Sequence, residues 1–383
     1  MKFARKKMKQ KRRRREQQMV MKRVMGMPDL AARLKAEASP WTTGEGPEKD
    51  VVLSSRIRLA RNFKAEPFPN RQDRESALRV WKIVSDFCND NKTYQFIDLS
   101  RESALVRKVL VEKHLISPDH AQDDDRYRAL VLSDDEAAAV MVNEEDHLRL
   151  QTFAPGLDLA KAWERADALD DALGRQSAYA FDAKLGYLTA CPTNIGTGLR
   201  ASVLVHVPGL RLTGGLGIIQ QFTQMGMAVR GLFGEGSEAV GDFYQISNQQ
   251  SLGRTEEDII KTLEGAARRL IAAERNARDH LYKQRGQALE DEIWRNYGIC
   301  AYARRLSSAE AYKLLSPLRM GAAVGILAPL TVAQVDKAYL LAQPGYLMLC
   351  ADQEADDATR DAIRAKKIRH QLYLPASEQV EEA

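Results

Sequence analysis

Short apolar runs of strand length, each followed by turn residues or charge, constrain the fold of this chain more than any other feature. They fall at residues 51–53, 129–132, 138–142, 188–191, 203–207 and 243–246. Runs of this length bounded by turn signals read as strands. Val203-Leu204-Val205-His206-Val207 is apolar throughout apart from His206, as expected of a strand covered on both faces. Turns and charged loops join the runs, without regular helical crossovers. The strands are therefore predicted to form a largely antiparallel sheet and not a doubly wound parallel one. Thr255-Glu256-Glu257-Asp258 has the form of a capping box and opens a long helix with Ile259, Leu263, Ala266, Leu270 and Ala273 on one face. After Gly286 the pattern is helical, with starts near Leu306 and Thr331 and a last helix from Asp356 to about His370. Short helices with apolar faces must stack, which predicts a small bundle. The expected architecture is α+β: a basic tail at 1–26, an antiparallel sheet flanked by helices at 27–285, and a helical C-terminal domain at 286–383.

Bulk composition agrees. The chain has 383 residues, 44% hydrophobic and 28% charged, which suits a soluble globular protein of two or three domains. No apolar run approaches the roughly 18 residues that a membrane-spanning helix needs. The formal net charge is +5, yet ten of the first 15 residues are Lys or Arg, and the remainder is slightly acidic. The basic character belongs to the tail, read as a solvated segment, an over-long start ahead of Met25 or Met27, or an arm for phosphates without sequence specificity. The tail lacks the apolar region of a signal peptide. Cys88, Cys191, Cys300 and Cys350 are widely spaced with no C-x-x-C, against a zinc site and against a disulfide scaffold. Thiols of this kind suit a reducing cytoplasm.

Chemistry concentrates where the predicted strands end. Tyr187 to Arg200 reads Y-L-T-A-C-P-T-N-I-G-T-G-L-R and holds a thiol and a guanidinium on one glycine-punctuated turn. Arg56, Arg58, Arg149 and Arg200 are each expected just past a strand, and Arg230 lies in M-A-V-R-G. A single surface arginine is usually solvated or salt-bridged. Five at strand ends could bind a triphosphate bidentately without a glycine-rich cradle. No G-x-x-x-x-G-K-[ST] is present, which excludes a P-loop. Gly196 to Ala201 matches G-x-G-x-x-A but precedes a strand-like run, which removes the dinucleotide reading. Glu144, Glu145 and Asp146 form either a charged turn or a set in which like charges raise one pKa and create a base. Glu235 and Glu238 offer a second acidic site, and two carboxylates can orient a substrate guanidinium. Cys191 reads as a buried core thiol or, beside Arg200, as a thiolate of depressed pKa. His147 and His206 are expected to be structural.

These segments resemble the ATP:guanido phosphotransferases. The resemblance runs through V-V-L-S-S-R-I-R-L-A-R-N, V-N-E-E-D-H-L-R, C-P-T-N-I-G-T-G-L-R and I-S-N-Q, in order, and covers about residues 40 to 370. It implies an antiparallel sheet flanked by helices, similar to the glutamine synthetase catalytic domain. Small-guanidino kinases carry about a hundred helical residues before the S-x-R-x-R segment; here about 50 precede it. Arg360-Asp361-Ala362-Ile363-Arg364-Ala365 instead matches the R-D-x-x-R-A motif of bacterial protein-arginine kinases of the McsB type, as do the segments 112–118 and 230–239. Ser251 departs from the pattern, standing where small-guanidino kinases have a phosphate-binding arginine.

The resemblance implies transfer of the γ-phosphoryl of ATP, with Mg2+, to arginine side chains of proteins. Ser54, Arg56, Arg58, His114, Arg149, Arg200 and Arg230 would hold ATP. Glu145 would orient the guanidinium and take its proton, Glu235 would hold its other side, and Cys191 would place the attacking nitrogen. Arg360, Asp361, Arg364 and Ala365 would form an allosteric phosphoarginine site, and no protein-bound metal is expected. Implied partners are proteins with exposed arginine, a zinc-binding activator, a Clp-type protease and a second copy of the chain, in the cytoplasm. Neither a membrane nor a specific nucleic acid is expected. The implied role is marking proteins for regulated degradation or stress response. A kinase of free arginine and a non-catalytic phosphoarginine-binding adaptor are the alternatives. The short N-terminal region argues against the first, and intact Cys191, Glu145 and clamp arginines argue against the second.

Overall fold

The computed structural model describes residues 30–36, 39–122, 126–231, 240–328, 330–351 and 355–373. The basic tail and the Glu235/Glu238 loop lie outside the described residues. The chain divides into two compact units, 1–37 and 38–383. Helix α1 (Leu30–Ala36) is the described part of the first.

The second unit is built on an eight-stranded sheet. Its strands are β1 (Val52–Arg61), β2 (Tyr94–Asp98), β3 (Ala129–Ser133), β4 (Ala138–Val142), β5 (Leu148–Pro155), β8 (Leu199–His206), β9 (Met227–Gly231) and β10 (Phe243–Asn248). Strands β6 (Phe181–Asp182) and β7 (Gly186–Tyr187) form a separate hairpin. The sheet order is β2-β3-β4-β5-β1-β8-β10-β9, with antiparallel pairing at every step, as expected from the turn-linked apolar runs.

Alternation along β1 sets the two faces of the sheet. Ile57 and Leu59 are fully buried on one face, while Ser54, Arg56 and Arg58 alternate onto the other. The apolar face packs against α2 (Arg74–Asp90), α4 (Leu159–Gly174) and the first half of α7 (Glu256–Tyr302); α3 (Ala104–Glu112) lies between β2 and β3 in sequence. Val80, Val84, Leu169, Leu173, Leu263 and Leu270 supply the helical side of this core. Two short helices, α5 (Pro208–Leu212) and α6 (Gly217–Gln224), connect β8 to β9.

Strand boundaries differ from the sequence reading. β1 runs ten residues, and β8 begins before Arg200, so the arginines lie inside strands and not past their ends. Residues 188–191 are not a strand; they bend into a 3-10 turn at Pro192–Asn194. Strands β2, β5 and β9 were not expected, because charge or scattered polarity interrupts their apolar pattern.

Residue 286 lies inside a helix. Helix α7 spans 47 residues and departs from helical geometry only at Arg285, where φ is −146° and ψ is 40°. Its N-cap is Thr255, whose side chain accepts from Asp258 N, as half of the predicted capping box. Helices α8 (Ser308–Val324), α9 (Val332–Ala342), α10 (Pro344–Ala351) and α11 (Asp357–Gln371) follow. They share a second core with Leu53, Leu204 and Phe243 of the sheet. Buried Arg319 pairs with Asp336 at 2.7 Å and donates to the carbonyls of Lys49 and Asp50, each at 3.0 Å, fastening α8 to the approach into β1. Glu112 reaches from α3 to the start of α10, accepting from Gly345 N at 2.8 Å and Tyr346 N at 2.6 Å. Among the described residues no helix is long and apolar enough to cross a membrane.

Candidate active site

Strand register places the five predicted arginines on one face. Arg58 of β1 is directly opposite Arg200 of β8, and Arg149 of β5 is opposite Ala60, two residues along from Arg58. Gln245 of β10 pairs with Arg230 of β9 and with Leu204 of β8, which carries the same face outward to Arg230. Like charges directly opposite in a sheet are unfavourable unless something neutralises them. The local fields agree. Burial, then Arg149 and Arg200, bring Arg56 down to about 9. Burial, then Arg56, Arg149, Arg200 and Arg230, push Arg58 well below the usual guanidinium range. A guanidinium does not lose its proton near neutral pH. The shifts therefore register positive charge drawn together out of water, a field that an anion would relieve.

Beside the arginines is a cleft of about 350 Å³ lined by Trp41, Ser54, Arg56, His114, Phe153, Ser202, Leu204 and Gln245. Arg56 Nη2 donates to Gln245 Oε1 at 2.9 Å, and the guanidinium lies 5.9 Å from the Phe153 ring centre. His114 has φ +61° and is held by its own carbonyl, which accepts from the Gln151 amide at 3.1 Å. Its ring is tilted against Trp41 with centroids 5.4 Å apart. Burial, with Arg56 nearby, lowers its pKa to about 4, so the imidazole is neutral at pH 7. His114 Nε2 and Arg58 Nε are both buried without a hydrogen-bond partner. His114 lines the cleft and Arg58 lies within the arginine cluster beside it, and orphaned polar atoms in such places point to a ligand site.

The Asn143–His147 turn separates its three carboxylates. Glu144 is buried and receives both of its 2.9 Å bonds from Arg149 Nη1; burial opposes but the Arg149 charge and the Ser117 hydroxyl hold its pKa below the usual range. Asp146 is buried and shifted upward, mainly by burial, while accepting from Asn62 Nδ2 at 2.6 Å and Ala190 N at 2.7 Å. Repulsion from Glu145 and Glu144 adds to the rise at Asp146, behind burial, whereas Glu144 itself is held low by Arg149. Glu145 alone presents its side chain to solvent. His147 is structural as expected: Nδ1 accepts from Phe63 N at 3.0 Å and Nε2 donates to Pro67 O at 2.8 Å. His206 is likewise buried, bonded to Ser316 at 2.9 Å.

Cys191 caps the Pro192–Asn194 turn, is partly exposed, and has its Sγ 3.1 Å from the Thr193 hydroxyl. It is not a core thiol. Ala190 N, one residue away, is the group held by Asp146, so the Glu145 turn and the Cys191 turn share one carboxylate. Gly196 and Gly198 close the turn with φ +110° and +65°; a Cβ would meet Ser251 O at 2.6 Å or Ala60 O at 2.7 Å. Ser251 does not face the arginine cluster. Its hydroxyl is directed at the carbonyls of Thr193 (3.1 Å) and Ile195 (2.9 Å), bracing the same turn. Asn248 ties β8 to this loop through Ala201 N, Leu199 O and Gln250 O.

A family model described as ATP:guanido phosphotransferase, C-terminal catalytic domain, matches residues 77–277, and one described as protein-arginine kinase McsB C-terminal domain matches residues 286–382. A protein-arginine kinase of Moorella thermoacetica is 46% identical over 341 residues, covering 87% of this chain and 97% of the relative. One from Symbiobacterium thermophilum is 45% identical over 359 residues, covering 91% and 99%. The chain belongs to the protein-arginine kinase family. The first match ends at residue 277 and the second begins at 286, next to the Arg285 irregularity of α7. Among solved structures, the kinase is similar in fold to a lombricine kinase, with TM-score 0.55 and 24% identity over 66% of this chain and 72% of the other. It is also similar to the duplicated taurocyamine kinase from Schistosoma mansoni with bound transition state analog components, with TM-score 0.53 and 26% identity over 68% of this chain and 38% of the other.

The R-D-x-x-R-A residues of the kinase lie on α11 and are not equivalent. Arg364 is buried, donating to Ala342 O at 3.0 Å, Leu306 O at 2.7 Å and Asp361 Oδ1 at 2.6 Å. It pins α11 to the ends of its neighbours. Arg360 is half-buried and paired with Asp357. Ala365 is fully buried. The expected pair of open guanidinium groups is therefore one half-buried group at the surface beside one structural group. The sequence motifs point to the arginines and to the carboxylate cluster, but not to Asn62, Asn248, Trp41 and Phe153 or to the bracing task of Asp146. Asn62 and Asn248 sit inside quoted motifs, yet nothing in the sequence alone distinguishes a loop-bracing asparagine from a turn residue.

Proposed function

We propose that this kinase transfers the γ-phosphoryl of ATP to a guanidino nitrogen of arginine in polypeptides. The observation that carries the reading is the arginine face, five guanidinium groups set by strand register with a buried, unpartnered Arg58 Nε at its centre. Such transfer has a loose transition state, so catalysis is alignment plus charge neutralisation. Arg56, Arg58, Arg149, Arg200 and Arg230 clamp the phosphates. Ser54 and His114 line the cleft that receives the rest of the nucleotide, with Trp41 as an apolar wall. Among the described residues no group of three or more His, Cys, Asp or Glu is placed to hold a metal. Magnesium would accompany the nucleotide, adding neutralising charge when bound.

On the acceptor side, a guanidinium is a poor nucleophile because it stays protonated. Glu145 orients it and takes the proton. Glu235, outside the described residues, holds its far side, and Cys191 places the attacking nitrogen. Asn62 and Asp146 fix the spacing between the Glu145 and Cys191 turns. We also propose that Arg360, with Asp361, Arg364 and Ala365 behind it, binds phosphoarginine and reports product to the enzyme. A zinc-binding activator, a Clp-type protease, pairing with a second copy, a cytoplasmic setting and a role in regulated degradation are proposed on family resemblance. The protein substrate is supported by the name shared by the relatives. Kinetics on free arginine and on the same residue within a polypeptide test the reading. It requires kcat/KM to be far higher for the polypeptide; the reverse order makes the enzyme a free-arginine kinase.

A further inference from the structure

Beside the Cys191 turn the kinase exposes large apolar side chains that its fold does not use. On the β6–β7 hairpin Phe181 is 58% exposed and Leu185 47%, and after β10 Leu252 is 53% exposed. Backbone contact joins these segments to the turn. Tyr187 N donates to Gly196 O at 2.8 Å. A Cβ on Gly186 would lie 2.5 Å from Gly196 O, and one on Gly196 would lie 2.7 Å from Leu252 Cα. Gly196 is thus sandwiched between the hairpin and the Leu252 loop.

The hairpin is braced. Asp182 Oδ1 accepts from Lys184 N at 2.8 Å and Leu185 N at 3.0 Å. The Tyr187 ring packs edge-on against Phe181 at 5.3 Å, and the Arg61 guanidinium lies 3.5 Å above the Tyr187 ring centre. Arg61 is itself fixed by Asp170 at 2.7 Å. A rigid element that keeps apolar side chains in water is prepared for contact, with little ordering left to oppose it.

We propose that Phe181, Leu185 and Leu252 receive apolar residues flanking the target arginine, so that the kinase selects arginines set in apolar sequence. This rests on the reading that the acceptor is arginine in a polypeptide. The occupant follows from reach. An arginine side chain spans about the length of two extended residues, so its backbone must cross the surface immediately around the Cys191 turn. Neighbours spaced at roughly 3.3 Å per residue along an extended chain then come within reach of the hairpin and of Leu252, both of which contact Gly196 of that turn.

The test uses the full-length enzyme and two peptides of equal charge, each with one arginine, flanked by leucine in one and serine in the other. Wild type should phosphorylate the leucine-flanked peptide with about tenfold higher kcat/KM, carried by KM, the effect of burying one leucine-sized side chain. The pair Phe181→Ser and Leu185→Ser, and separately Leu252→Ser, should reduce that preference while leaving the serine-flanked peptide unchanged. Equal kcat/KM on both peptides in wild type, or an undiminished preference in both variants, overturns the inference alone. Phosphorylation of neither peptide overturns the protein-arginine reading and this inference with it.

Discussion

At the scale of single residues, the site works by division of labour among groups that look alike in sequence. Three adjacent carboxylates take three tasks: Glu144 neutralises Arg149, Asp146 holds Ala190 N, and Glu145 faces solvent. Glu145→Gln should keep nucleotide binding and lower transfer by roughly 10²–10⁴-fold, the range for a positioned base. Calorimetric ATP binding beside a turnover assay checks it, and near wild-type turnover would remove Glu145 from the chemistry. Asp146→Ala, which releases the Cys191 turn without touching Arg149, should lower kcat more than it raises the KM for ATP. Loss confined to ATP binding would contradict that role. Cysteines separate as cleanly. Burial pushes the Cys88 and Cys300 thiols up to about 12, so at neutral pH an alkylating reagent is left with Cys191 and Cys350. In a Cys350→Ala background, activity should fall in step with Cys191 labelling, and ATP plus polypeptide should slow both. Full activity after complete labelling would exclude Cys191 from the acceptor site.

Elements explain what the sequence could and could not disclose. Arg56-Ile57-Arg58-Leu59 alternates polar and apolar residues, which is the mark of a strand, yet these arginines read as a charged segment beyond a three-residue run. A search for apolar runs fails where a ligand-binding face carries charge, because the compensation comes from a ligand that is not in the sequence. The motifs were legible and the strand that displays them was not. The same holds for α11. The family resemblance implies that Arg360 and Arg364 act as a pair, but only packing shows Arg364 bonded to two carbonyls beneath the surface. Arg364→Ala leaves those carbonyls without a partner and should destabilise the enzyme by about 2–4 kcal/mol. Arg360→Ala should leave stability within about 0.5 kcal/mol and weaken phosphoarginine binding. Thermal melts and titration with phosphoarginine separate the two, and equal melting temperatures would contradict the buried role of Arg364.

Across the whole molecule, sheet and C-terminal helices behave as one body, joined by Arg319, Glu112 and a shared core. Neutral buried histidines tie its stability to pH. His114 and His120 are lowered to about 4 by burial, and burial lowers His147 and His206 as well. Their unfolded values lie near 6.5. The unfolded chain therefore binds more protons between pH 6.5 and 4, so stability is full above about 6.5 and is lost as pH falls toward 4. The slope should reach up to ~1.4 kcal/mol per pH unit for each such histidine. Denaturation midpoints measured across that interval check the sign, and a flat profile would place charged imidazoles in the folded state.

The central claim is that the arginine face and the Glu145–Cys191 pair carry one reaction, phosphoryl transfer to arginine in a polypeptide. The most direct measurement is site-resolved mass spectrometry, under conditions that preserve P–N bonds, of an unstructured polypeptide incubated with ATP and enzyme. Wild type should place phosphoryl groups on arginine and on no serine, threonine, tyrosine, lysine or histidine, with the signal lost for Arg58→Ala and for Glu145→Gln. Phosphoryl groups on another residue type, or an undiminished arginine signal from both variants, would contradict the account.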